Sequence, residues 1–141
     1  MAESNVARVR SMYDAFARGD VASVLESLDP QIEWLEAENF IYAGGNPYIG
    51  RQAVLNGIFM RIGTEWDKFS ATPEEIVDGG DTVIALGRYR GTYKATGARV
   101  DASFVHVMKF KDGKIARFEQ HTDTAQFRDA IRSAAAPATA N

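Results

Sequence analysis

Two side chains combine reactive chemistry with a setting suited to acid–base work: the carboxylate Glu36 and the imidazole His106. Both settings follow from period-two alternation. In 99–111 the even positions read Val100, Ala102, Phe104, His106, Met108 and Phe110, and the odd ones Asp101, Ser103, Val105, Val107 and Lys109. Alternate strand residues face opposite ways, so His106 is the titratable group on the more aromatic face. In 32–36, Ile32, Trp34 and Glu36 share a face opposite Glu33 and Leu35. A large indole belongs inside, and Glu36 follows it toward a pocket mouth. A carboxylate partly desolvated there gains a raised pKa and the character of a general base. Together with a neutral histidine donor, it suits proton abstraction next to a carbonyl, with the donor stabilising the enolate. Each residue also has a plainer reading, which the sequence leaves open: His106 as a satisfied core histidine, Glu36 as a solvated strand end.

The remaining candidates for chemistry are weaker. In 114–122, Phe118 and Gln120 share one side, opposite Glu119 and His121, so the two histidines are not expected to share a metal. Asp123 beside His121 reads better as a helix cap than as a ligand. With no cysteine in the chain, disulfides, thiolate nucleophiles and cysteine-bound zinc are excluded. We expect no metal and no cofactor.

The elements that must position these residues fall into two blocks. Val6, Val9, Tyr13 and Phe16 stand at helical spacing, with Met12 beside them, and end at Gly19. Asp20 can cap a second helix with a Val21, Val24, Leu25, Leu28 stripe, which Pro30 stops. A strand over 32–36, a loop rich in Gly and Pro to Gly50, and a third helix over about 51–62 follow. From Phe69 the period becomes two, giving strands over 69–77, 82–94, 99–111 and 114–122 separated by chain-reversing Gly turns, then a short helix over 124–132. Strands of 13 residues would extend about 43 Å at roughly 3.3 Å per residue, so the sheet must curl. The fold class expected is α+β, a strongly curved, mostly antiparallel sheet with three N-terminal helices packed on its concave face.

The chain has 141 residues, 45% hydrophobic and 25% charged, which fits one domain over 1–132 followed by an Ala-rich segment, 133–141, expected to be a disordered tail. Its 16 basic and 19 acidic residues give a net charge of -3, so nucleic acid is not an expected partner. With neither a leader pattern nor a span of about 18 apolar residues, no membrane partner is expected and the location expected is cytoplasmic. The outer sheet face offers Val105 and Val107 between polar neighbours, a basis for homodimerisation.

Several runs resemble a known family. Tyr13-Asp14-Ala15-Phe16-Ala17-Arg18-Gly19-Asp20, Ile32-Glu33-Trp34, Gly50 before the third helix and, most specifically, Phe110-Lys111-Asp112-Gly113-Lys114-Ile115 resemble the SnoaL-like branch of the nuclear transport factor 2-like superfamily over about residues 5–130. Stretches such as Gly45-Asn46-Pro47-Tyr48 and Gly91-Thr92-Tyr93-Lys94-Ala95-Thr96-Gly97 are similar to a ketosteroid-isomerase-related bacterial subgroup. The resemblance implies a cone-shaped fold, a pocket between helices and sheet, and a dimer through the outer sheet face. Ketosteroid isomerase uses an aspartate base with a tyrosine and a protonated aspartate as donors. Ungapped counting puts the base on Glu36, the protonated aspartate on His106 and the tyrosine on Met12, a departure that removes one donor. Tyr89 is the substitute, from a different wall. Limonene epoxide hydrolase uses an Asp-Arg-Asp set; the same counting reaches Gly87, Tyr89 and Gln120, so that chemistry is absent.

The catalytic set expected is therefore Glu36, His106 and Tyr89, in an apolar pocket whose ligand-binding residues are Trp34, Met12, Phe104, Met108, Phe118 and Gln120. The function expected is a cofactor-independent isomerase or cyclase acting through an enolate on a small apolar carbonyl compound. The alternative is a non-catalytic module that binds a hydrophobic ligand or a protein.

Overall fold

The structure is a computed structural model describing residues 3–132; the 133–141 segment, where a tail was expected, lies outside the described residues. Helix α1 (Asn5–Ala17) begins where the Ser4 side chain accepts from the Ala7 N–H and closes at Gly19, whose φ of 77° suits a residue without a Cβ. It buries Val9, Met12, Tyr13 and Ala15. Asp20 caps α2 (Val21–Glu26) by accepting from the Ser23 N–H. That helix is shorter than its stripe suggested, because Leu28 already belongs to β1 (Leu28–Leu35), where it is fully buried. The strand thus starts four residues earlier than expected, and Glu36 stands one position beyond its end.

A loop containing one 3-10 turn (Ala43–Gly45) leads to β2 (Tyr48–Ile49). The third helical segment is continuous but irregular. α3 (Arg51–Val54) passes through a π-helical turn (Leu55–Phe59) into α4 (Met60–Glu65), ending three residues later than expected. The long strands are β3 (Trp66–Gly79), β4 (Thr82–Tyr93), β5 (Arg99–Lys111) and β6 (Lys114–Thr122), followed by α5 (Thr124–Arg132). Asp123 stands directly before α5, where its carboxylate accepts from the Gln126 side chain in the first turn.

The six strands form one curved sheet in the order β2-β1-β6-β5-β4-β3, antiparallel throughout except for the parallel β1/β6 pair. Its curvature has local causes. Register slips by bulges at Asp67/Ser70 and Pro73/Glu75 in β3 and, opposite Lys109/Phe110, at Ala116 in β6, and such bulges bend the strand that carries them. Gly87 sits where a Cβ would run into the Thr72 backbone and the Phe104 ring, so its lack of a side chain lets β3 and the core close on β4. Asp112 and Gly113 both take positive φ, 50° and 78°, in the two-residue turn joining β5 to β6.

The concave face holds α1, packed on β3 and β4, with α4 on β3 and α5 on β5. The convex face is mixed. Ile84 and Leu86 pair across strands with Val107 and Val105, all four half-buried, and around them lie charged groups such as Arg117, which pairs with Glu33 at 2.6 Å.

Candidate functional site

Parity on β5 and β6 delivers His106 and Gln120 side by side on the concave face, as directly paired neighbours across the two strands. Tyr89 reaches the same place from β4, and α1 lays Tyr13 over them. The result is a continuous hydrogen-bonded row. Tyr13 Oη is bonded to His106 Nδ1 at 2.6 Å, and Tyr89 Oη to His106 Nε2. Gln120 Nε2 donates to Tyr89 Oη at 3.0 Å, while Gln120 Oε1 accepts from the Ala37 N–H at 3.2 Å. The His106 ring is 4% exposed, stacked on Phe104 with centroids 4.1 Å apart and parallel to Tyr13. Burial pushes its pKa down from 6.5 to about 3, with a smaller push from His121, so the ring is neutral at ordinary pH. Burial raises both tyrosine hydroxyls well above 10, and they stay protonated.

Glu36 faces the same cavity from the end of β1. Its backbone is held on both sides by Asn46, whose Oδ1 accepts from the Glu36 N–H at 2.9 Å and whose Nδ2 donates to the Glu36 carbonyl at 2.8 Å. The side chain is 5% exposed, which replaces the solvated strand-end reading. Burial raises its pKa from 4.5 to about 8, against a weaker opposing pull from the Trp34 indole N–H. The two groups do not complete a hydrogen bond, and Trp34 Nε1 and Glu36 Oε2 are both buried without a partner. Unpartnered buried polar atoms inside a cavity are groups a ligand can satisfy.

The cavity these residues share has about 60 Å³ of free space for the centres of water-sized molecules. Its wall includes Met12, Tyr13, Trp34, Glu36, Tyr89, His106, Phe118 and Gln120, and aromatic side chains make up most of the rest. Trp34 and Phe118 form one panel, stacked with centroids 3.7 Å apart. Among the described lining residues none is Lys or Arg. Two expected ligand-binding residues do not line it. Phe104 and Met108 are on the predicted face but fully buried, Phe104 behind the His106 and Tyr89 rings and Met108 between Val83 and Phe118.

Two findings concern hydrogen-bond donors. Counting without gaps puts methionine, Met12, where ketosteroid isomerase has its tyrosine, and α1 also supplies a tyrosine, Tyr13, one residue on. It was hidden because the helical stripe already explained it as core. His106 was expected to act as donor itself, whereas both of its ring nitrogens are occupied by tyrosine hydroxyls.

Sequence reasoning also missed Tyr42, Phe59, Trp66, Phe69 and Phe127 in the wall. Tyr42 Oη donates to Glu65 Oε1 at 2.7 Å and accepts from Trp66 Nε1 at 3.1 Å, and Arg61 stacks over its ring. These contacts fasten the loop after β1 to the end of α4. They join residues far apart in the chain, and no short-range pattern signals them. No cluster of metal-ligating side chains occurs among the described residues, and His121 pairs instead with Glu119 on the outer face.

The sequence pattern of the SnoaL-like domain matches residues 9–118. Among solved structures, the chain is similar to a nuclear transport factor 2-like protein from Burkholderia thailandensis E264, with 36% identity, coverage of 92% of this chain and 98% of that one, and a TM-score of 0.87. It is also similar to a nuclear transport factor 2-like protein of unknown function from Burkholderia pseudomallei K96243, at 30% identity over 92% and 98% of the two chains with a TM-score of 0.83. TerC, co-crystallised with polyporic acid, shares the fold at 24% identity over 92% and 98%, with a TM-score of 0.80. No match was found among curated proteins. The domain match spans most of the chain and the relatives agree with the cone-shaped α+β architecture, so the chain belongs to the SnoaL-like family of the nuclear transport factor 2-like superfamily.

Proposed function

We propose that the chain is an acid–base enzyme of the isomerase or cyclase type, acting through an enolate on a small, uncharged, apolar carbonyl compound. The observation that carries this reading is the sharing of one aromatic cavity by a carboxylate raised to about 8 and a row of tyrosine hydroxyls organised by a neutral histidine. Pairs of titratable groups whose pKa values are pushed apart are the signature of divided acid and base roles. Glu36 takes the proton next to the carbonyl, and a hydroxyl held by His106 donates to the oxygen as charge develops there. The lack of Lys or Arg in the described wall favours a neutral substrate over an anionic one. The aromatic panels suit a planar molecule, and TerC, of the same fold, was co-crystallised with polyporic acid.

Solvent deuterium incorporation tests this without knowledge of the product. A panel of cyclic and aryl ketones is incubated with the protein in heavy water and exchange next to the carbonyl is followed by mass spectrometry. Exchange is expected for at least one member, with a rate that rises through about pH 8 as Glu36 ionises, and Glu119→Gln on the outer face should match wild type. A panel that binds, as seen by quenching of Trp34 and Trp66 at the cavity wall, but never exchanges would favour the non-catalytic ligand-binding reading.

Homodimerisation through the outer sheet face is part of the same proposal. The patch of Ile84, Leu86, Val105 and Val107 supports it. Light scattering after gel filtration should show a dimer at tens of micromolar protein, about the range a modest interface holds together, and Val105→Asp should give a monomer. A wild-type monomer would remove the interface from the proposal.

A further inference from the structure

The Ala37 amide gives the buried hydrogen-bond row a direction. A backbone N–H can only donate, so the Gln120 atom receiving it at 3.2 Å is the carbonyl oxygen, and the end of that side chain turned to Tyr89 Oη at 3.0 Å is the NH₂ donor. Tyr89 therefore accepts from Gln120 and has one proton of its own to give. Beyond it, His106 meets Tyr89 through Nε2 and Tyr13 through Nδ1.

A neutral imidazole carries one N–H and one lone pair, which leaves two arrangements. In the first, the Tyr89 hydroxyl donates to Nε2, Nδ1–H donates to Tyr13 Oη, and the Tyr13 proton is left for the cavity. In the second, Tyr13 donates to Nδ1 and Nε2–H donates to Tyr89, whose oxygen then receives two donors while its own proton is left over. The first runs head to tail from Ala37 to Tyr13, so each bond polarises the next; the second turns against itself at Tyr89.

We propose that Gln120 is a positioning residue, whose amide, oriented by Ala37, holds His106 as the Nδ1–H tautomer and so makes the Tyr13 hydroxyl the donor offered to a ligand. This rests on the site described under the proposed function, and it names which of the two tyrosines faces the substrate oxygen. Gln120 exerts this effect through Tyr89 and His106.

Long-range proton–nitrogen correlation spectra of the unliganded, ¹⁵N-labelled protein at pH 7 read the tautomer directly, with His121→Asn used to assign the two ring systems. Wild type is expected to show His106 protonated on Nδ1, opposite to the Nε2–H form that a free histidine side chain prefers. Protonation on Nε2 in wild type overturns the proposal. In Gln120→Leu the fixed donor is gone, and the proton is expected to shift toward Nε2; if that variant does not fold, Gln120→Met, unbranched and closer in shape, carries the same expectation. A folded variant that keeps the Nδ1–H form as fully as wild type would show that Gln120 does not set the tautomer. Because no substrate is involved, an Nδ1–H form in a protein that exchanges no ketone would defeat the enolate reading and leave the relay standing.

Discussion

Glu36→Gln is expected to lower turnover of an enolisable substrate by about 10² to 10⁴, the usual cost of removing a positioned base, and at the same time to make the folded protein more stable at pH 8. Both effects follow from one cause. The carboxylate is buried and its Oε2 has no partner, so its ionised form is disfavoured and its pKa rises to about 8. A base near pH 8 holds a proton more strongly than a solvated carboxylate, which suits it to removing a weakly acidic proton. The fold, however, must tolerate the ion that the chemistry needs. Gln is close to isosteric and never ionises, so it abolishes proton transfer and the penalty together. Steady-state rates and urea midpoints on the same preparation at pH 8 check the pair of effects. A variant with wild-type turnover would place the base elsewhere, and one with unchanged or lower stability at pH 8 would mean that Glu36 is solvated when ionised.

Residues governed by alternation were readable in advance; residues governed by long-range contact or helical rotation were not. Trp34, Glu36, His106, Phe118 and Gln120 all face inward, because a strand permits only two faces and one hydrophobic residue fixes the parity of the rest. Position along a face is a different matter. Phe104 and Met108 have the correct parity, but both are fully buried away from the cavity lining, and depth of that kind depends on sheet curvature. On a helix each step turns a residue about 100°, so Met12 and Tyr13 point different ways, and counting along the chain singles out Met12 whereas Tyr13 is the one bonded to His106. Leu28 shows the limit of a stripe: its helical spacing was genuine, yet β1 begins there and takes it. The loop between β1 and β2 offers a turn composition and a family resemblance but no role for any one side chain, although Asn46 holds the backbone of the proposed base. Its role depends on two hydrogen bonds to a residue ten positions away.

Wild-type stability is expected to be greatest between about pH 4.5 and 6.5 and to fall on both sides, with Glu36 and His106 controlling opposite limbs. Glu36 is raised from 4.5 to about 8, so the stability associated with its protonated form is complete below pH 4.5 and is lost as pH rises through 8. His106 is lowered from 6.5 to about 3, so the stability associated with its neutral form is complete above pH 6.5 and is lost as pH falls through 3. Each limb has a slope of up to about 1.4 kcal/mol per pH unit, and between 4.5 and 6.5 the two slopes oppose and cancel. Asp20, Asp101 and Glu119, held below their ordinary range by surface partners, add slightly to the acid limb, so the alkaline limb is the cleaner reading. Urea midpoints at pH 3.5, 5.5 and 8 test the shape. Glu36→Gln should keep the acid limb and lose the alkaline one. His106→Gln should weaken the acid limb, but from a lower starting point, because it opens the ring stack on Phe104 and leaves Tyr13 and Tyr89 without their shared partner, a loss of about 2 to 4 kcal/mol for a buried aromatic site of this kind. A wild-type profile flat from pH 5.5 to 8 would contradict the buried, unpartnered carboxylate on which the proposed chemistry depends.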